Sequence, residues 1–138
     1  MGDFRQAINP DQVTGDDAIA LARTAAEAIR GLNHATRHEG GLGQPSVAYD
    51  VAGALSLAAS RLGQALAQIT RYLDRALADG RLGHDLGDDP RFAVETAGRF
   101  LDDARLSAAA LAGDLDAAWQ QLALLNGRPA PRPRKDQP

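Results

Sequence analysis

The stretch Val94–Leu125, VETAGRFLDDARLSAAALAGDLDAAWQQLALL, decides the fold. Within it Val94, Ala97, Leu101, Ala104, Ala108, Leu111, Leu115, Ala118, Leu122 and Leu125 recur at alternating steps of three and four. Residues so spaced share one face of an α-helix, and a heptad stripe this long must lie against a partner helix. The segment that matches it lies just upstream. From Val47 to Asp79, which contains no proline, Val51, Leu55, Ala58, Leu62, Leu66, Ile69, Leu73 and Leu77 also recur at steps of three and four. Two helices at about 46–79 and 90–126, joined by the polar stretch Gly80–Asp89, therefore read as a long antiparallel hairpin.

Local signals fix the ends. Gly80 and Gly127 supply helix stops, and Asp89-Pro90 places an N-cap and a first-position proline at the start of the last helix. Further upstream, Thr14 with Asp17 three residues on resembles a capping box with Asp in place of Glu, and Asp16 and Asp17 complement the positive end of a helix dipole. A first helix over 15–38 follows, with the stripe Ala18, Ala22, Ala25, Ile29 and Leu32, ending at Gly40-Gly41. The short turn to Pro45, with Ser46 as the expected N-cap, returns the chain alongside it. The sequence predicts an all-α fold: a three-helix up-down-up bundle built on the long antiparallel hairpin. An N-terminal arm, 1–13, carries Phe4, Ile8 and Val13 as anchors, 14–127 forms the bundle, and the basic, proline-rich 128–138 reads as a disordered tail.

The first predicted helix is shorter than the other two. It covers the Ser46 to Ile69 half of the hairpin and leaves the far end, with Tyr72, Leu73, Leu77, Phe92 and Phe100, open. These five residues are the predicted partner-binding surface, and an uncovered apolar patch of this kind marks contact with a protein partner or a second copy of the chain.

Composition excludes several chemistries. The chain of 138 residues has no cysteine and a formal net charge of -3, so it offers neither a thiolate site nor a global basic field for nucleic acid. No apolar run approaches a membrane span, and Met1-Gly2-Asp3-Phe4-Arg5-Gln6 matches neither a secretory nor a myristoylation signal, so a cytoplasmic setting is expected. Gly40-Gly41-Leu42-Gly43 has no following Lys-Ser or Lys-Thr and fails as a phosphate-binding loop. Asp85, Asp88 and Asp89 do not make an EF-hand pattern.

One polar cluster stands out. Asn33 and His34 at the end of the first helix and Tyr49 and Asp50 at the start of the second flank one short turn. An imidazole beside a carboxylate is the arrangement of an oriented general base, yet no nucleophile accompanies it, and the reading adopted is a structural tie across the turn. His34 and His38, four apart, lack further metal ligands. No catalytic residue, metal or cofactor is assigned.

The order Leu32-Asn33-His34-x-Thr36, a glycine-rich loop, Tyr49-Asp50-x-x-Gly53-x-Leu55, Arg61-Leu62-x-Gln64 and a final Asp-Pro before an Ala-rich helix resembles a family of small all-helical proteins of unassigned function from Streptomyces and related actinobacteria. The resemblance spans residues 28 to 125 and implies a host and a fold, with no activity to transfer. The leading expectation is a non-enzymatic helical interaction or scaffold protein. The alternative is a nucleic-acid-associated accessory protein of a mobile element, working through Arg128, Arg132, Arg134 and Lys135 of the tail.

Overall fold

The computed structural model describes residues 14–129; the expected arm and nearly all of the expected tail lie outside the described residues. The described residues contain no strand and form four helices: α1 (Gly15–Ala35), α2 (Glu39–Leu42), α3 (Pro45–Ala78) and α4 (Pro90–Leu122). They divide into two compact units between Gly43 and Gln44.

In the first unit, α1 begins with a full capping box. Asp17 Oδ2 accepts from the Thr14 backbone N–H at 2.9 Å and from its hydroxyl at 3.0 Å, while the Asp17 N–H donates to Thr14 Oγ1 at 3.4 Å. Aspartate thus replaces glutamate without loss of reciprocity. The helix stops at Ala35, three residues before the predicted end. The Thr36 N–H makes the last four-residue bond, to the Leu32 carbonyl at 2.9 Å, which the Thr36 hydroxyl shares at 2.9 Å, and the Arg37 N–H then tightens to the His34 carbonyl, three residues back, at 3.3 Å. The single turn α2, which periodicity does not predict, folds back so closely that a Cβ on Gly41 would overlap the Ala35 carbonyl. Gly43, with φ 64°, ends it. No residue of α1 is buried, and Ile19 and Ile29 are about half exposed.

In the second unit, α3 starts at Pro45, whose fixed φ suits the first helical position, with Gln44 rather than Ser46 as N-cap. Helix α4 starts as expected: Asp89 is the N-cap, accepting from the Arg91 N–H at 3.0 Å. It ends at Leu122, short of the predicted Asn126, because Leu124 and Leu125 donate to the carbonyls of Gln121 and Leu122, three residues back. Contacts between the helices run in opposite directions along the chain: Tyr49 with Trp119, Ser56 with Ala112, Gly63 with Arg105. The two are antiparallel neighbours.

Small residues form the seam. Ala59, Ala76, Val94 and Ala108 are the buried apolar residues, and no large side chain is fully buried. Ala52, Ser56, Gly63, Leu66, Thr70 and Leu73 complete the half-buried row on α3. The Ser56 hydroxyl donates to the Ala112 carbonyl at 3.0 Å, a reach possible only where the axes come close. Over Gly63 lies the stem of Arg105, whose guanidinium is held at its head by Asp102 through Nε at 3.1 Å and Nη2 at 2.8 Å.

The predicted stripe holds from Val94 to Ala108 and again at Leu115 and Leu122, while two positions between them move by one residue. Ala112 and Trp119 take the half-buried places expected of Leu111 and Ala118, which are exposed. A straight helix drifts by about 20° per heptad against a strict seven-residue repeat, and a four-residue step after Ala108 absorbs that drift. On α3 the same effect leaves Leu62 and Ile69 about half exposed, with Ala59, Gly63 and Thr70 nearer the partner helix.

Glycine positions provide a first test. Trp119 stacks on Tyr49 with ring centroids 5.0 Å apart and planes at 21°, and a Cβ on Gly53 would lie 2.9 Å from its indole nitrogen. Gly113 has nothing within 4 Å of such a Cβ. Gly113→Ala is therefore expected to raise stability by up to about 1 kcal/mol through helix propensity alone. Gly53→Ala should forfeit that gain by displacing Trp119. Urea denaturation followed by circular dichroism and Trp119 fluorescence separates the two; an equal gain at both sites contradicts the close approach at Gly53.

The capping box gives a second. Hydrogen bonds from the Thr14 backbone and then its hydroxyl hold the Asp17 carboxyl below its ordinary value of 3.8. A depressed folded-state pKa contributes stability that is present above the unfolded value and lost as pH falls through the folded one. Amide protection in the first turn of α1 should accordingly decline below about pH 4, and Asp17→Asn should flatten that dependence. A pH profile unchanged by the substitution would show that the box does not hold the helix end.

Candidate functional site

The far end of the α3/α4 pair is assembled by two helix termini and the connection between them. Helix α3 ends in a Schellman turn: the Gly80 N–H donates to the Leu77 carbonyl at 3.1 Å and the Arg81 N–H to the Ala76 carbonyl at 2.9 Å. Gly80 sits at φ 68°, in the left-handed region that a side chain disfavours. That reversal carries Arg81 back along the last turns of α3. Its guanidinium carbon lies over the Tyr72 ring, 6.0 Å from the centroid, and its Nη2 meets Asp79 Oδ2 at 3.1 Å.

The connection is tied by His84. Its Nδ1 accepts from the Leu86 N–H at 3.1 Å, which places any single ring proton on Nε2, and its carbonyl accepts from the Gly87 N–H at 2.9 Å. The Asp88 carboxylate lies 4.0 Å from the same Nδ1. These bonds account for His84 and Asp88 structurally, beside the capping role of Asp89.

Of the five residues predicted to bind a partner, Tyr72, Phe92 and Phe100 are 55%, 74% and 70% exposed, and Leu73 and Leu77 are half-buried. Their side of the pair follows from helix geometry. Ser60, Gln64 and Ala67 of α3 line a groove along one edge of the seam with Arg105 and Ala109 of α4. At about 100° per residue, Leu62 and Ile69 of α3 and Phe100 and Leu111 of α4 fall on the opposite edge, Tyr72 stands at its outer margin, and Phe92 lines a groove with Thr70, Asp74 and Gly98 on the polar side. One edge is thus polar and small, the other apolar and open.

The polar cluster predicted around the 36–45 turn is distributed between the two units. Asn33 and His34 are exposed in the last turn of α1, in the first unit. Tyr49 and Asp50 belong to the second, where Asp50 is exposed and Tyr49 is committed to its stack on Trp119. Among the described residues no group of three or more His, Asp or Glu side chains is arranged to hold a metal ion, and no helix is long and apolar enough to cross a membrane.

Sequence reasoning passed over a second feature of this end. Gln68, Arg71, Tyr72, Arg75 and Arg81 line an open concavity of about 300 Å³ on the outer side of α3. The signal was present: Gln68, Arg71, Tyr72 and Arg75 share a helix face by their spacing, and Gly80 marks where the chain doubles back. No protein-family model, curated protein or solved structure matches this chain.

Proposed function

We propose that this chain is a non-enzymatic helical interaction or scaffold protein of the cytoplasm that engages a protein partner, or a second copy of itself, through the end of the hairpin around Tyr72, Phe92 and Phe100. The observation that carries this reading is the placement of three largely exposed aromatic rings at one end of a helix pair whose buried residues are all small. Three such rings in water forgo several kcal/mol of burial that a partner surface supplies, at about 25 cal/mol for each Å² covered. Aromatic anchors near a rim of arginines have the composition of a protein-binding patch.

In the same reading the chain closes as a three-helix up-down-up bundle in which the first helix covers the Ser46 to Ile69 half of the hairpin. Length supports a division of labour along the hairpin. Helix α1 has 21 residues and α3 has 34, or about 31 and 51 Å at 1.5 Å per residue. One turn of coverage after another, α1 runs out before Tyr72. A role on nucleic acid gains nothing at this end of the molecule, where Asp79, Asp85, Asp88 and Asp89 are interspersed with the arginines, and Arg132, Arg134 and Lys135 lie outside the described residues.

Two measurements test this. Tyr72→Glu with Phe100→Glu should abolish self-association or partner capture while helical content stays near wild type, since a charge on an exposed surface disfavours contact more than folding. Light scattering and circular dichroism on the pair decide it: a wild type that stays monomeric and captures no partner, together with a double variant that unfolds, would make these residues part of the core. The bundle is tested by Ile29→Asp, which should lower the urea midpoint of the whole chain in one transition, by about 2 to 4 kcal/mol if the side chain is covered by the hairpin. Two independent transitions, with the hairpin's unchanged, would remove α1 from that face.

A further inference from the structure

Three guanidinium groups, those of Arg71, Arg75 and Arg81, converge on the concavity on the outer side of α3. Arg81 is paired with Asp79, while Arg71 and Arg75, like several other arginines among the described residues, have no carboxylate within 4.0 Å and no side-chain hydrogen bond to the protein. Asp74, on the same stretch of helix, turns toward α4 and lines a different groove. Two free guanidinium forks four residues apart on one helix repel each other, and like charges at that spacing cost helix stability. A third guanidinium, Arg81, is brought over the same ring by the Gly80 reversal.

From this geometry we propose that the concavity binds a phosphomonoester dianion, presented as a phosphorylated side chain of the partner protein. The inference rests on the reading of this end of the hairpin as a docking surface and names the chemistry of what docks. Charge supports it: three guanidinium groups less the Asp79 carboxylate leave a formal balance of two positive charges, which a dianion neutralises and a single carboxylate only halves. Donor geometry supports it as well. Each guanidinium offers parallel N–H groups that match phosphate oxygens in a bidentate fork, and those of Arg71 and Arg75 are satisfied by no protein acceptor. Tyr72 supplies an apolar wall shared with the open edge that carries Ile69 and Phe100, so a peptide lodging its phosphate among the arginines sets its neighbouring side chains on that edge. A polynucleotide fits less well. It needs a basic track beyond the first phosphate, and the track here is interrupted by Asp79, Asp85, Asp88 and Asp89.

The test uses the full chain and three probes: phenyl phosphate, benzoate and an oligodeoxythymidylate of ten nucleotides. Nuclear magnetic resonance of the arginine Nε–H groups and the Tyr72 ring reads the contacts. Phenyl phosphate should give saturable shifts at Arg71, Arg75, Arg81 and Tyr72, with an affinity at least tenfold above that for benzoate. Arg75→Gln should weaken it at least fivefold with helical content unchanged, Arg71→Lys should weaken it while retaining the charge, and Arg91→Gln, outside the concavity, should leave it as in wild type. Absence of saturable shifts at these arginines, equal affinity for benzoate, or wild-type binding by Arg75→Gln each overturns the proposal. Oligonucleotide binding that exceeds phenyl phosphate binding and collapses with salt overturns it in favour of nucleic acid. If phenyl phosphate does not bind while the Tyr72→Glu, Phe100→Glu variant still loses association, the docking surface stands and its phosphate chemistry falls. Phosphate binding by a chain that never associates separates them the other way.

Discussion

Everything in the second unit depends on how closely α3 and α4 approach each other. The hydrogen bond from Ser56 to the Ala112 backbone, at 3.0 Å, sets that separation, and Ala59, Gly63 and Ala108 are small enough to allow it. A seam of this kind gains dispersion contact between backbones and spends little rotamer entropy, since alanine and glycine have no rotamers to lose. It also leaves little room at the centre of the seam for large side chains: Leu66 and Leu73 of α3 and Leu101 and Leu115 of α4 are only half-buried beside it. Leu62, Ile69 and Leu111 are displaced to one edge and stay about half exposed. The open apolar edge is therefore a consequence of the close seam rather than a separate feature of the surface.

The two ends of the pair are resolved by different chemistry. At one end, Trp119 lies on Gly53 and against Tyr49, so aromatic area closes the seam where the helices begin and finish. At the other, aromatic area faces outward, and order comes from backbone and side-chain hydrogen bonds: the Schellman turn at Gly80, the His84 acceptor and the Asp89 cap. Those bonds fix the connection without covering Phe92, Phe100 or Tyr72. An end held by polar contacts while its rings remain in water requires little further ordering to make the contact proposed above.

Much of the fold was legible because its signals are local. Capping residues bond over three positions, so Thr14 with Asp17 and Asp89 with Pro90 read correctly, as did the helical character of every long segment. Ends set by a tightened last turn were less legible: the three-residue bonds from Arg37 to His34 and from Leu124 and Leu125 to Gln121 and Leu122 leave no periodic trace. The stripe itself misled in part. Counting large side chains placed Leu111 and Leu62 at the centre of the contact, whereas the helices chose the smaller Ala112, Ala59 and Gly63, because apolar size argues for burial only where the separation leaves space. At the candidate site, Tyr72, Phe92 and Phe100 are exposed because they lie off the α3/α4 seam, while the arginine concavity needed the reversal at Gly80 to bring Arg81 beside residues six to ten positions earlier.

Tyr72 links the two surfaces of this end and gives them a physical order. One side of its ring is bordered by Arg81, at 6.0 Å, and the same side chain stands at the margin of the apolar edge. A guanidinium over a ring is weakly held, about 0.5 to 1 kcal/mol at an exposed site, so it can be drawn aside by a stronger acceptor. An anion entering the concavity competes with the ring and with Asp79 for Arg81, and each contact it displaces is weaker than a charge-assisted bidentate bond. The guanidinium then turns toward the anion and leaves the ring free to pack. Charge recognition at the arginines would in this way precede and favour apolar docking along Ile69 and Phe100, which makes the order of events at this end a property of how Gly80 places one side chain.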